Sequence, residues 1–336
     1  MKQEYVTIKD IARKLNLSAS TVSRALRNLP VINEETRKKV ISEAKKMNYH
    51  PNLIAQSLRN RQSNTIGVVV PDLELNFFSS CISGMQEACL KKGYNLIISQ
   101  SKESFKLESH NIITLLNSRV DGVLISLSRE TNTFNHLNQL TANNIPFVYF
   151  DRVNEADSIS KVVINDQESA YEATNYLIKK GYRKIAFIAG PKNLSISKNR
   201  LAGYKLSLQD HHLKPNKQWI LETDLSKNST IACLHSLLGL EEFPDAILAI
   251  NDTVAIDCIL CLKKLGIRIP DDIAIMGFTN SPAAEIVEPN LTTVEQPSFE
   301  MGKLAAIRLM EEINSPRTLP HQVFTLKTKI IEREST

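Results

Sequence analysis

Residues 16–28 read NLSASTVSRALRN. Four hydroxyls and two arginines within thirteen residues make a helix too small and too polar to serve only as core filler. Ser18 can cap a new helix, its hydroxyl accepting from the free amides of the first turn. Val22, Ala25 and Leu26 then share one face, while Ala19, Ser20, Thr21, Ser23 and Arg24 fall at the N-terminal end or outside. Upstream, Ile8, Ile11, Ala12 and Leu15 recur at helical spacing opposite Lys9, Asp10, Arg13 and Lys14, and Asn16-Leu17 breaks that pattern. Two short helices joined by a tight turn predict a helix-turn-helix. The major groove admits a helix whose leading side chains are short. Hydroxyls there can bond phosphates or base edges, and arginine can take guanine or phosphate.

A third helix follows, with Asn33 as N-cap, Glu34 and Glu35 in the first turn, and Val40, Ile41, Ala44 and Met47 as its expected buried face. Lys38, Lys39, Lys45 and Lys46 flank that face. Pro51 stops the helix, and Asn52 can cap a seven-residue stretch, LIAQSLR, apolar on Ile54, Ala55 and Leu58. So short a helix is not stable alone in water. It is either a frayed linker or a segment that folds on binding, with Leu58 as an apolar wedge.

At 336 residues the chain has room for two or three domains, and 42% hydrophobic with 23% charged residues is ordinary for a globular protein. No run approaches the ~18–20 apolar residues of a membrane span, and MKQEYVTIKD lacks the apolar core of a secretory signal. A cytoplasmic protein without membrane contact is expected. Charge is lopsided: residues 1–62 hold 13 Lys and Arg against 5 Asp and Glu, and the remainder 28 against 31. A basic head on a slightly acidic body fits a polyanion bound by the head, although a solvated basic surface has the same charge. Five cysteines, an odd number, do not make a disulfide framework. Cys258 and Cys261 form a lone C-x-x-C, read as core or interface cysteines or as a metal or redox pair.

From residue 64 apolar, β-branched runs alternate with helical stretches such as 78–92, 166–180 and 252–265. The runs are TIGVVVPD, YNLIISQS, VDGVLISLS, IPFVYFDR, KVVIND, KIAFIAGP, AILAIND and IAIMGFTN. They predict buried parallel strands of a doubly wound α/β body in two similar lobes. Ligands in such sheets bind beyond the carboxyl ends of the strands. The residues closing the runs are polar: Asp72 before Phe77-Phe78, Asp151-Arg152, Asn165-Asp166, Asn251-Asp252 and Thr279-Asn280, with Arg200 after the GPKNLS loop. Aromatic rings beside Asp, Asn and Arg suit a polyhydroxylated ligand. Asp166 is equally readable as a helix cap, and Phe78 as the start of a core helix.

TIKDIARKLNLSASTVSRAL, then NYHPNLIAQSL, then TIGVVVPD resembles the start of a LacI/GalR-family transcriptional regulator, and the likeness runs to the C-terminus. The resemblance implies a homodimer bound to a near-palindromic double-stranded operator, most simply as a repressor, under allosteric control by a small-molecule effector, a sugar or sugar derivative. It implies that Ala19, Ser20 and Arg24 face base edges, that Thr7, Ser18, Thr21, Ser23 and Asn28 lie near phosphates, and that Asn52, Ala55 and Leu58 act in a minor-groove hinge. It also implies an effector pocket of Phe77, Phe78, Asp151, Arg200, Asn251, Asp252, Thr279 and Gln296. The organisation expected is a DNA-binding head at 1–50, a hinge and linker at 51–63, and an effector and dimerisation body at 64–336. Within the body the N-lobe takes about 64–162 and 297–322, and the C-lobe about 163–296 and 323–336. Thr279 departs from the family, where many members carry Asp at this position; Asn280 is the candidate to take over that role. The absence of a leucine-heptad tail points to a dimer rather than a tetramer. No cofactor or metal is implied. G-x-S-x-G, Walker and H-E-x-x-H motifs are missing, so an enzyme is not expected.

Overall fold

The helical periodicities of the first fifty residues fold as α1 (Ile8–Leu15), α2 (Ala19–Leu26) and α3 (Glu34–Lys46). The computed structural model describes residues 6–49, 62–315 and 319–336, and the chain divides into two compact units, Met1–Ser63 and Asn64–Thr336. Ile11, Ala12, Val22, Ala25, Val40 and Ala44 form the core of the first unit. Asn16 takes the left-handed conformation (φ 55°) that ends α1 and turns the chain toward α2. Asn33 caps α3 by accepting from the Thr36 amide at 2.8 Å. Ile41 departs from expectation: it is 41% exposed. Three short helices cover one stripe of α3, that of Val40 and Ala44, and Ile41 is turned about 100° away from it.

The second unit holds two six-stranded sheets, ordered β11-β5-β4-β3-β1-β2 and β12-β10-β9-β8-β6-β7. Their strands are β1 (Thr65–Val70), β2 (Asn95–Gln100), β3 (Gly122–Ile125), β4 (Phe147–Phe150), β5 (Lys161–Ile164), β6 (Ile185–Ala189), β7 (Ile220–Glu222), β8 (Ala246–Ala249), β9 (Ala274–Thr279), β10 (Thr292–Glu295), β11 (Val323–Leu326) and β12 (Lys329–Ile331). All pairings are parallel except β10 with β12. The helices are α4 (Asn76–Lys91), α5 (Phe105–Asn117), α6 (Asn138–Ala142), α7 (Asp166–Lys179), α8 (Ser195–Asp210), α9 (Lys227–Leu238), α10 (Asp252–Lys264) and α11 (Ser298–Asn314).

The eight apolar runs are β1–β6, β8 and β9. β2 is an edge strand rather than a buried one, and Ile97 and Ile98 are 37% and 43% exposed. The expected lobe boundaries shift by a few residues. β5 pairs with β4 and β11 in the first sheet, so residues 161–164 and 323–326 belong to the N-lobe. The chain therefore passes between the sheets three times: after β5, after β10 and between β11 and β12.

Each lobe contains one helix pair drawn together at glycine. A Cβ on Gly302 of α11 would lie 1.9 Å from the Cys81 carbonyl oxygen of α4, and one on Gly84 2.0 Å from that of Phe299. In the other lobe a Cβ on Gly203 of α8 would lie 2.0 Å from the Gln167 carbonyl oxygen of α7. Cys258 is buried on α10, Cys261 is half-buried, and both are free thiols. No helix among the described residues is long and apolar enough to cross a membrane.

Candidate functional site: recognition helix and interlobe cleft

Helix α2 begins in a ring of hydroxyls. Ser18 Oγ accepts from the Thr21 amide at 3.1 Å and lies 2.7 Å from Ser20 Oγ and 2.8 Å from Thr21 Oγ1. One cap thus fixes the helix start and three side chains at once. Ser18, Ala19, Ser20, Arg24 and Asn28 are exposed, whereas Thr21 and Ser23 are half-buried. Arg27 is tied back through Nε to the Ser23 carbonyl at 3.0 Å. Arg24 is exposed and makes no hydrogen bond or ion pair with the described residues, so its five donors are available outward. Thr7 is exposed too, but its hydroxyl donates to Asp10 Oδ2 at 2.6 Å, and this bond, above all, holds the Asp10 carboxyl below its ordinary range. Asn52, Ala55 and Leu58 lie outside the described residues.

In the second unit, Phe77, Phe78, Asp151, Arg200, Asn251, Asp252, Thr279 and Gln296 line a single cavity of about 70 Å³. They come from the carboxyl ends of β4, β8, β9 and β10 and from the helices α4, α8 and α10, so both lobes contribute. This volume falls well short of the ~300–1,000 Å³ of ordinary ligand clefts, so a sizeable molecule needs the lobes to part. Leu75, Asn76, Arg152, Ile196, Thr253 and Ser281 complete the lining.

The polar groups divide into committed and uncommitted ones. Arg200 belongs to the buried face of α8 rather than to a polar loop, and is 2% exposed. Its Nε donates to Asp166 Oδ1 at 2.7 Å, its Nη1 to the Ile250 carbonyl at 2.6 Å, and its guanidinium lies 4.0 Å from the Phe278 ring centroid. Both Asp252 oxygens are taken, one by Thr293 Oγ1 at 2.5 Å and the other by the Ser281 amide at 2.6 Å. The Asn251 side chain caps α10 by accepting from the Val254 amide. Asn280 does not line the cavity: it donates to Glu295 and accepts from Arg333. Asp72 is likewise spent on Gln100 and the Glu74 amide.

Three groups are left unmatched. Gln296 Oε1 is buried without a partner while its Nε2 donates to Thr279 Oγ1 at 3.3 Å. Arg152 Nε is buried without a hydrogen bond, 3.9 Å from Asp151 Oδ2. Asp151 sits at φ 59° at the end of β4, and burial pushes its carboxyl up to about 6 against the pull of Arg152 and Arg200. Burial also raises Asp166, opposed by Arg200, and Asp252, opposed by its two hydrogen bonds.

Sequence reading missed the Glu103 and Arg152 pair. Lys102 and Glu103 are both left-handed (φ 49° and 61°), a turn that aims the Glu103 carboxylate at Arg152 Nη1, 2.8 Å from each oxygen, and at the Arg129 amide at 2.7 Å. Neither residue belongs to a motif; consecutive left-handed non-glycine positions leave no trace in sequence. Beyond Glu103, Arg129 Nη1 donates to the Asp224 carbonyl, and Asn193 Nδ2 to the carbonyls of Arg129 and Thr131, bridging the lobes.

Residues 7–52 match the profile of bacterial regulatory proteins of the lacI family, and residues 174–336 that of the periplasmic binding protein-like domain. The HTH-type transcriptional repressor PurR of Vibrio atlanticus is 33% identical over 329 residues, 98% of each chain. The chain belongs to the lacI family. Two more lacI-type relatives are the ribose operon repressor of Haemophilus influenzae, 33% identical over 98% of each chain, and catabolite control protein A of Priestia megaterium, 30% identical over 98% of this chain and 99% of that one. Among solved structures, the transcriptional regulator CelR in complex with cellobiose is 27% identical with a TM-score of 0.75, covering 98% of this chain and all of the other. The lac repressor dimer bound to operator shares the fold, with a TM-score of 0.87 over 99% of each chain at 24% identity. As a lacI-family member the protein is a DNA-binding transcriptional regulator and not an enzyme.

Proposed function

We propose that the chain is a repressor that binds a near-palindromic operator as a homodimer and is switched by a sugar or sugar derivative held between its lobes. The observation that carries this is the pairing of an outward, unpartnered Arg24 on α2 with a cleft whose buried Gln296 Oε1 and Arg152 Nε have no partner in the protein. Buried polar groups are nearly always satisfied, so such orphans mark where an outside molecule completes the bonding. In this reading Ala19, Ser20 and Arg24 meet base edges. Thr7, Ser18, Thr21, Ser23 and Asn28 stand near phosphates. Thr7 bonds a phosphate there only by releasing Asp10, because its hydroxyl and its backbone amide both donate to that carboxylate. Asn52, Ala55 and Leu58 form the hinge, and the domains divide near residues 50 and 63.

Effector binding changes the angle between the lobes, and the hinge carries that change to operator affinity as a coupling free energy. Two-fold symmetry of the dimer calls for two-fold symmetry in the DNA. The exposed edge strand β2, with Ile97 and Ile98, and exposed Ile286 offer apolar surface for the second subunit. When bound to operator the protein is associated with the nucleoid. The test is a gel-shift titration of full-length protein on DNA selected from a random pool, with and without a panel of sugars. Failure to enrich a two-fold sequence, or enrichment indifferent to every sugar, overturns the reading.

A further inference from the structure

The positive charge of the cleft is already neutralised. Its two cations are each held by a carboxylate: Arg152 by Glu103, and Arg200 by Asp166. Asp151 and Asp252 are the two carboxyl groups of the lining itself, so with Glu103 and Asp166 behind the arginines four acids stand against two bases. Of the polar atoms left unmatched, Gln296 Oε1 can only accept, and the Asp151 carboxylate, which no donor in the described chain bonds, accepts as well. Among donors of the described lining, Arg152 Nε is buried and stands 3.9 Å from Asp151 Oδ2, too far to satisfy either, and Arg152 Nη2, Arg200 Nη2 and Asn251 Nδ2 make no hydrogen bond within the described chain.

A ligand that completes this set must bring N–H or O–H donors and acceptors close together. Adjacent hydroxyls do both, since each donates one proton and accepts at its lone pairs. Phe77 and Phe78 meet edge-to-face at 5.2 Å and wall one side, leaving apolar surface for ring C–H groups. An anion meets the opposite situation. It meets two arginines whose charge Glu103 and Asp166 already offset, so it can gain only their remaining N–H donors, and it must approach Asp151 and Asp252 in a medium that screens poorly.

We propose that the cleft selects an uncharged ligand carrying neighbouring hydroxyl donors and rejects the phosphorylated and carboxylated forms of the same molecule. This rests on the reading of the cleft as the effector site. Glu103 is then a specificity-determining positioning residue: by occupying Arg152 it removes the cation that an anionic ligand would need.

The test uses the purified full-length chain in thermal-shift and calorimetric titrations at neutral pH. The panel holds neutral pentoses, hexoses and disaccharides, their phosphates, their uronic and aldonic acids, and the bases adenine and guanine. At least one neutral sugar raises the melting temperature, its phosphate and acid do not, and Gln296→Leu lowers affinity for that sugar by about tenfold or more. Glu103→Gln, which frees Arg152, narrows the preference for the neutral sugar over its phosphate by about tenfold or more; a purely structural role for Glu103 would weaken both alike. Circular dichroism verifies that each variant is folded. An acid, a phosphate or a base that binds as tightly as any neutral sugar overturns the proposal. If that binding is lost in Gln296→Leu, the effector-site reading stands and only the charge assignment falls. If binding survives in Gln296→Leu, or no member of the panel binds, both fall.

Discussion

Arg200 Nε donates to Asp166 Oδ1 at 2.7 Å in a site where both side chains are more than nine-tenths buried. Removing one partner strands the other charge, a loss of about 3–5 kcal/mol for buried pairs. Arg200→Ala should therefore lower the unfolding free energy by about that amount in urea titrations, with Asp166→Asn in the same chain recovering part of it. Arg200→Ala should also abolish ligand-induced thermal stabilisation. A variant as stable as the parent, with its ligand shift intact, would show that the pair is dispensable.

Asp151 gives a pH signature. Its folded-state carboxyl is raised from 3.8 to about 6, so the folded chain holds this proton more tightly than the unfolded one. The stabilisation is complete below the ordinary Asp range and is lost as pH rises through about 6. It amounts to about 3 kcal/mol. Asp166 and Asp252, also raised by burial, slope the same way. Asp151→Asn should flatten stability between pH 4 and 7 and exceed the parent above pH 6; an unchanged profile would place that proton elsewhere.

Arg24→Ala should erase discrimination among operator sequences while leaving the stability of the chain within about 0.5 kcal/mol, because the Arg24 side chain is exposed and makes no hydrogen bond or ion pair in the described chain. Loss of one bidentate base contact is worth about 1–3 kcal/mol of discrimination. Footprints identical to those of the parent protein would remove α2 from the role of reader.

Gly302→Ala and Gly203→Ala place a methyl about 2 Å from a neighbouring backbone carbonyl, which no rotamer change can relieve. Each should destabilise by at least about 1–3 kcal/mol in chemical denaturation. Gly93→Ala serves as the comparison: a Cβ there meets nothing, and its cost is that of φ 75° alone.

Sequence carried the pattern of this fold wherever a run was long or a cap was chemical. Ser18 and Asn33 each accept a backbone amide three residues on, as their side chains dictate, whereas α7 is capped by Asn165 and not by Asp166. The strands left unread, β7, β10, β11 and β12, are three or four residues long, and runs such as TTVE and KII carry too little periodicity to register. The eight residues implied for the pocket do line one cavity, yet what each does there was not legible. Asp252 spends both oxygens on the protein and Arg200 and Asn251 spend part of their polar atoms there, while Gln296, Arg152 and Asp151 retain buried unmet capacity. Distinguishing the two needs distances between residues as remote in sequence as Glu103 and Arg152.

The three passages of the chain between the sheets have a mechanical meaning. A single tether leaves two bodies free to twist, slide and bend, whereas three tethers hold back twisting and sliding and leave bending as the soft coordinate. Whatever settles between the lobes can then report only through one variable, how far they have closed. Ligands of different shape are thereby reduced to positions along a single dial, the degree of closure.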